Sequence, residues 1–165
     1  MHIKAVKMLD FFWGMCYNKI TNLKQQEDST MQDYARAFCA YMDANGIKYT
    51  VQKENLIKVL YRGDNLDSIP VFAIFDEDND PLVAFKCWDI ANFKNKEADA
   101  LIVCNILNAE YRWVKFYLDK DNDIVASIDA IIDLDTCGSE CMALVRRVVN
   151  IVDDAYPRIA KARWA

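Results

Sequence analysis

Histidine is nearly missing from this 165-residue chain, with His2 the single copy. A Cys–His or Ser–His–Asp arrangement would have to draw its base from the first residues of the sequence, which argues against nucleophilic hydrolase chemistry. Glycine and proline are scarce too, at four and three copies. Too few glycines are present to build a phosphate loop or a dinucleotide fingerprint. Most of the chain is therefore expected in regular elements with short connections. Excess positive charge is absent: Lys and Arg number 20 against 25 Asp and Glu, a net charge of −5. Nucleic-acid binding needs a cluster of cations on one face. The one dense basic stretch, Arg158, Lys161 and Arg163, is what the dipole of a closing helix attracts anyway. A long apolar run is lacking as well. The patch Phe11–Tyr17 follows Lys4, Lys7 and Asp10, is too short to span a bilayer and precedes no small-residue cleavage site. No signal peptide, no membrane span and a cytoplasmic location are expected, with all six cysteines as thiols.

What is present is a folding composition, 53% hydrophobic and 27% charged, in a length suited to one domain over residues 1–165. Residues 1–28 read as an N-terminal helix and a polar linker. Val6, Leu9, Trp13, Cys16, Ile20 and Leu23 are spaced by three and four over residues 2–24, and Phe11, Phe12 and Tyr17 lie outside that stripe. Such a helix has to pack on two sides or against a second chain. Ser29 and Gln32 fit a capping box for a second helix carrying Met31, Tyr34, Ala35, Phe38 and Met42 on one face, stopped by Asn45-Gly46.

Period-two alternation then predicts strands at Ile47–Gln52 and Ile57–Arg62, with a loop from Gly63 to Pro70. A local repeat follows. Residues 71–88 and 114–131 each run from an apolar strand through D-x-D-N-D into another strand, the pattern of a hairpin with an acidic turn. The strand after Asp123 places Ile124, Ala126, Ile128, Ala130 and Ile132 on one face. Between the hairpins Ala98, Leu101, Ile102, Asn105 and Ala109 fall at helical spacing. A last helix, capped by Ser139, has Leu144, Val148, Ile151, Val152, Ala155 and Ile159 as its inner stripe, widened by Val145, Val149 and Tyr156, with Pro157 as a kink or a stop. The predicted class is α+β: a twisted antiparallel sheet of about six strands backed by helices, in the order α-α-β-β-β-β-α-β-β-α.

Two motifs invite chemistry and fall short of it. Asp119, Asp121 and Asp123, like Asp76, Asp78 and Asp80, match the opening of a calcium loop. The sixth positions are Ile124 and Pro81 where glycine is required, and the twelfth are Ala130 and Cys87 where a bidentate Glu is required. Cys137-Gly-Ser-Glu-Cys141 is half of a zinc site without its other half. Near a helix start Cys137 is expected to have a depressed pKa, which leaves a redox- or ligand-responsive regulator using Cys137 and Cys141 as the alternative reading. No catalytic, metal or cofactor residue is assigned. The surplus of aromatics, four Trp, eight Tyr and eight Phe, points to an interface.

The run Asn105-Ile-Leu-Asn108, then Trp113-Val-Lys-Phe-Tyr-Leu-Asp119, Lys-Asp-Asn-Asp123-Ile-Val and a long closing helix resembles the YbjN family of bacterial proteins. The likeness covers most of residues 30–160, by element order alone between Met31 and Trp88. Two departures stand out: the added helix before residue 29, and Asp123 where the family commonly has glycine. The resemblance implies a fold like that of class I type III secretion chaperones, commonly dimeric, with no enzyme activity and no cofactor. The combined expectation is a non-catalytic protein-binding module, homodimeric, holding a protein partner or itself through Leu9, Phe12 and Trp13 of the first helix and Val149 and Tyr156 of the last.

Overall fold

The computed structural model describes residues 32–76 and 80–164. Three helices, α1 (Asp33–Ala44), α2 (Glu97–Glu110) and α3 (Cys137–Trp164), accompany six strands. The strands are β1 (Tyr49–Lys53), β2 (Leu56–Tyr61), β3 (Ile69–Phe75), β4 (Leu82–Cys87), β5 (Lys115–Leu118) and β6 (Ile124–Ile131). They form one antiparallel sheet in the order β1-β2-β3-β4-β6-β5. The class and the six strands are those the sequence predicts. The helix expected at 2–24 lies outside the described residues.

α1 buries Ala35, Phe38, Cys39 and Met42, a stripe at helical spacing. It ends as expected: Gly46 takes a φ of 65°, and the Ile47 N–H returns to the Met42 carbonyl at 2.9 Å. Its start differs. The helix begins at Asp33 with Gln32 at the cap, so Gln32 is not the third residue of a box opened by Ser29.

β3 shows why its residues form a strand. Ile69, Val71, Ala73 and Phe75 are buried on one face, while Pro70, Phe72 and Ile74 alternate on the other. The strand includes Ile69 and Pro70, which the sequence pattern assigns to the loop. β4 begins to pair with β3 only at Phe72, so no ladder bond is asked of the proline there. β6 departs from the expected one-sided pattern. It lies between β4 and β5, and its first five residues, Ile124 to Ile128, are all buried. Alternation returns only from Asp129 onward.

The sheet's helical face is covered by α3, which packs on β3, β4 and β6 and against α1. Phe38 of α1 reaches Phe75 with ring centroids 6.0 Å apart. Phe85, Phe93, Phe116, Met142 and Ile159 complete a core in which each large side chain contributes about 1.5–3 kcal/mol by leaving water. At Gly138 a Cβ would lie 2.3 Å from the Tyr41 Cβ, so glycine is what lets α3 approach α1.

α3 runs unbroken through Pro157. A proline cannot donate to the carbonyl four residues back, which belongs to Asp153. That carbonyl accepts instead from the Asn65 side-chain amide at 3.1 Å. The Asp153 carboxylate accepts the backbone N–H groups of Asp64, Asn65 and Leu66, each at 2.9 Å. A Cβ at Gly63 would come within 2.0 Å of the Asp153 Oδ1. The 63–66 loop is thus seated on the helix where the proline leaves an acceptor open. Desolvation raises the Asp153 pKa, but these hydrogen bonds outweigh it and hold the carboxyl below its ordinary value.

At the other edge, Asn108 of α2 accepts the Phe116 N–H at 2.7 Å and donates to the Phe116 carbonyl at 2.9 Å. One side chain therefore takes up both ladder groups that Phe116 turns away from β6, which blunts that edge.

Candidate interaction surface

α2 is apolar on two sides. Ala100, Val103, Cys104 and Leu107 are buried beneath it. Leu101, Ile102 and Ile106 are 59%, 60% and 50% exposed on its outer side. The five residues that the sequence placed at helical spacing, Ala98, Leu101, Ile102, Asn105 and Ala109, are all exposed, so that spacing traces the outer face and not the packed one. Nothing in the one-dimensional pattern separates the two, because both stripes of this helix are apolar.

Between α2 and the last turns of α3 runs an open groove of about 550 Å³. Ile102, Val103 and Ile106 form one wall and Ala162 the other, with Lys96, Asp99, Arg158 and Lys161 at its rim. Arg158 is held in place by an ion pair with Glu110 and by the Tyr111 hydroxyl, and its guanidinium lies 5.3 Å from the centre of that ring. The same hydroxyl donates to Asp154. Desolvation, followed by that hydrogen bond, pushes the Tyr111 pKa up to about 12. These contacts tie the two helices together across the end of the groove. Beyond α2, Trp113 is 53% exposed, with the Arg147 guanidinium 4.3 Å from its ring centre.

Of the residues singled out from sequence, Val149 is buried at 7% exposure and Tyr156 is half-buried. The outward residues of α3, among them Arg146, Asn150, Asp154 and Lys161, are mainly polar. Leu9, Phe12 and Trp13 lie outside the described residues. Three of the exposed apolar side chains, Leu101, Ile102 and Ile106, share one helix, α2, which the sequence pattern does not single out, while others such as Ile131, Trp164 and Leu60 are scattered over β6, α3 and β2.

The Cys137 and Cys141 thiols lie 3.7 Å apart on successive turns and are both fully buried. Cys137 also donates to the Tyr34 carbonyl at 3.3 Å. Its pKa is lowered, as expected, but the leading cause is the hydrogen bond from Cys141, opposed by burial. The same contact, with burial, raises Cys141. A disulfide here would join two turns of one helix and restrain no other element. Burial alone pushes Cys104 up to about 11, and burial with the Asp89 charge pushes Cys87 up to about 12. In the second acidic turn the Asp119 carboxylate accepts the backbone N–H groups of Asp121 and Asp123, both at 2.9 Å, while Asn122 takes a φ of 64°. Asp119 thus serves its own turn. Among the described residues, no three His, Cys, Asp or Glu side chains gather as a metal site and no helix is long and apolar enough to cross a membrane.

The described residues form an open antiparallel sheet with helices on one face, an α+β fold, and leave an apolar stripe of α2 exposed. The family model "Putative bacterial sensory transduction regulator" matches residues 35–161, and the chain belongs to that family, YbjN. It is similar to the crystal structure of YbjN from E. coli, described as "a putative transcription regulator", at 14% identity and a TM-score of 0.48, covering 71% of this chain and 84% of that one. It is also similar to a chain of the heterodimeric ExoU-SpcU complex from the type III secretion system of Pseudomonas aeruginosa. The identity there is 11% and the TM-score 0.46, covering 75% of this chain and 95% of that one. No curated protein matches the sequence.

Proposed function

We propose that this chain is a non-catalytic protein-binding module that forms a homodimer through the outer face of α2. The observation that carries the reading is the exposure of Leu101, Ile102 and Ile106 beside the groove. Covering each of these half-exposed side chains is worth on the order of 1 kcal/mol. Association itself costs several kcal/mol, so the interface has to extend well past three residues. A stable dimer buries roughly 800 Å² on each partner, so the groove wall and Trp113 would have to join α2 in the contact. The rim carries both signs, Asp99 against Lys96, Arg158 and Lys161, which a two-fold pairing can match.

The test is the mass in solution by light scattering for the native chain and for the Ile102→Asp/Ile106→Asp variant. A native dimer that becomes a folded monomer on substitution supports the reading. A native monomer, or a dimer that survives both aspartates, removes it.

A further inference from the structure

The sheet has a second face, opposite α3, and its charge runs against that of the whole chain. The pairing registers line up one residue per strand across all six: Thr50 with Lys58, Lys58 with Phe72, Phe72 with Lys86, Lys86 with Ser127, and Ser127 with Lys115. Residues directly opposite one another point to the same face. Three lysines therefore share one cross-strand row. Each is separated from the next by a single strand, which at sheet spacing puts them about 10 Å apart. None of the three forms an ion pair among the described residues, in a chain whose net charge is −5. The carboxylates nearby are Asp129, two residues along β6 from Ser127, and Asp89 at the margin.

The row crosses apolar ground. Phe72 packs on Trp88 with ring centroids 4.6 Å apart, and the Lys58 ammonium lies 5.6 Å from the Phe72 ring centre. That contact holds the cation between two depressions. One, of about 350 Å³, has a mixed lining, with Leu66, Pro70, Phe72 and Trp88 beside Ser68 and Asp89. The other, of about 360 Å³, is lined by Tyr49, Thr50 and Leu60, and Leu60 is 58% exposed.

We infer that this face binds an extended peptide segment that carries an acidic residue at every third position among large apolar ones. Its carboxylates would meet the lysine row, and apolar side chains would enter the depressions on either side of Lys58. A polyproline-II-like extended chain has three residues per turn and advances about 3.1 Å per residue, so an acid at every third position returns to the same face at about the lysine spacing. Nucleic acid fits less well. The net charge opposes it, and Phe72 and Trp88 meet at 52° to one another instead of offering parallel faces to bases. The inference rests on the protein-binding reading above and names its partner class, but the surface is separate from α2.

The test is fluorescence anisotropy on the full chain. The probes are a labelled peptide with glutamate at every third position among leucines, and the same peptide with glutamine in place of glutamate. The glutamate peptide is expected to bind about tenfold tighter, and the preference to shrink with added salt. Lys58→Glu/Lys86→Glu should abolish the preference, while Lys120→Glu, on the hairpin turn, leaves it intact. Circular dichroism checks the fold, and Lys58→Gln/Lys86→Gln should give a smaller loss in the same direction. Equal affinity for the two peptides, or indifference to both lysine pairs, overturns the inference. Tighter binding of a thymidine oligonucleotide than of the glutamate peptide overturns it in favour of nucleic acid. If Ile102→Asp/Ile106→Asp removes the preference and the lysine variants do not, the peptide sits on α2 and the inference falls while the α2 reading stands. A monomer that still prefers the glutamate peptide supports the inference and removes the dimer.

Discussion

α2 and α3 pack against each other and on the same sheet, yet they meet solvent in opposite ways. α3 is a finished amphipathic helix, with Val145, Val148, Val152, Ala155 and Ile159 inside and polar residues outside. α2 buries Ala100, Val103, Cys104 and Leu107 and then repeats the same chemistry on its outer side. The difference shows where the molecule has solved its own folding problem and where it has left apolar surface over. A helix with apolar stripes on two sides buries only one of them against its own sheet. The other side of α2 is the surface that the proposed dimer would cover.

The two sides of α2 should respond differently to truncation. Leu107→Ala on the inner side is expected to cost about 2–5 kcal/mol in urea unfolding, through lost burial and the cavity left behind. Leu101→Ala on the outer side should stay within about 0.5 kcal/mol at low protein concentration. Its effect should appear in the dimer dissociation constant instead. Equal losses of stability at both positions would mean that the outer face is packed within a single chain.

On α3 the contrast can be sharpened at the loop anchor. Gly63→Ala would drive a methyl group into the Asp153 carboxylate, at an expected cost of about 1–3 kcal/mol by denaturant midpoint. In an Asp153→Gly background the same change should cost clearly less, because the group it collides with is gone. Additive losses would show that the clash is not with Asp153. The mass in solution should be unchanged in either case, unlike in the α2 variants.

The smallest effect concerns pH. The folded pKa of Asp153 is depressed, so its contribution is fully present above the unfolded carboxyl value of about 3.9 and is lost as pH falls through the folded value. Hydrogen exchange at the Asp64, Asn65 and Leu66 amides should accelerate below about pH 4, beyond the intrinsic trend of exposed amides, and Asp153→Asn should flatten that response. Exchange that follows the intrinsic trend in both proteins would remove the carboxylate from the anchor.

Much of this architecture could be read in one dimension. Alternation located the strands, Asn45-Gly46 stopped α1, and each D-x-D-N-D segment falls between two strands that pair antiparallel. The misreadings share a cause. β6 is expected to be one-sided because Ile124, Ala126 and Ile128 alternate, but Val125 and Ser127 on its other face are buried as well, which the local pattern does not show. On α2 the visible stripe proved to be the wet one. Val149 was proposed as surface and is buried, while Asn108 and Phe116, or Asn65 and Asp153, meet only once distant segments are brought together.

The sequence by itself determined the class of the protein, its antiparallel hairpins and its shortage of residues for histidine-, glycine-loop- or zinc-based chemistry. These follow from local periodicity and from an inventory, and neither depends on who lies next to whom. Only the tertiary structure decided that Leu101, Ile102 and Ile106 face solvent and that Lys58, Lys86 and Lys115 stand in one row. Exposure depends on which side of a helix its neighbours occupy, and a cross-strand row depends on register, and both are set by contacts between segments far apart in the chain.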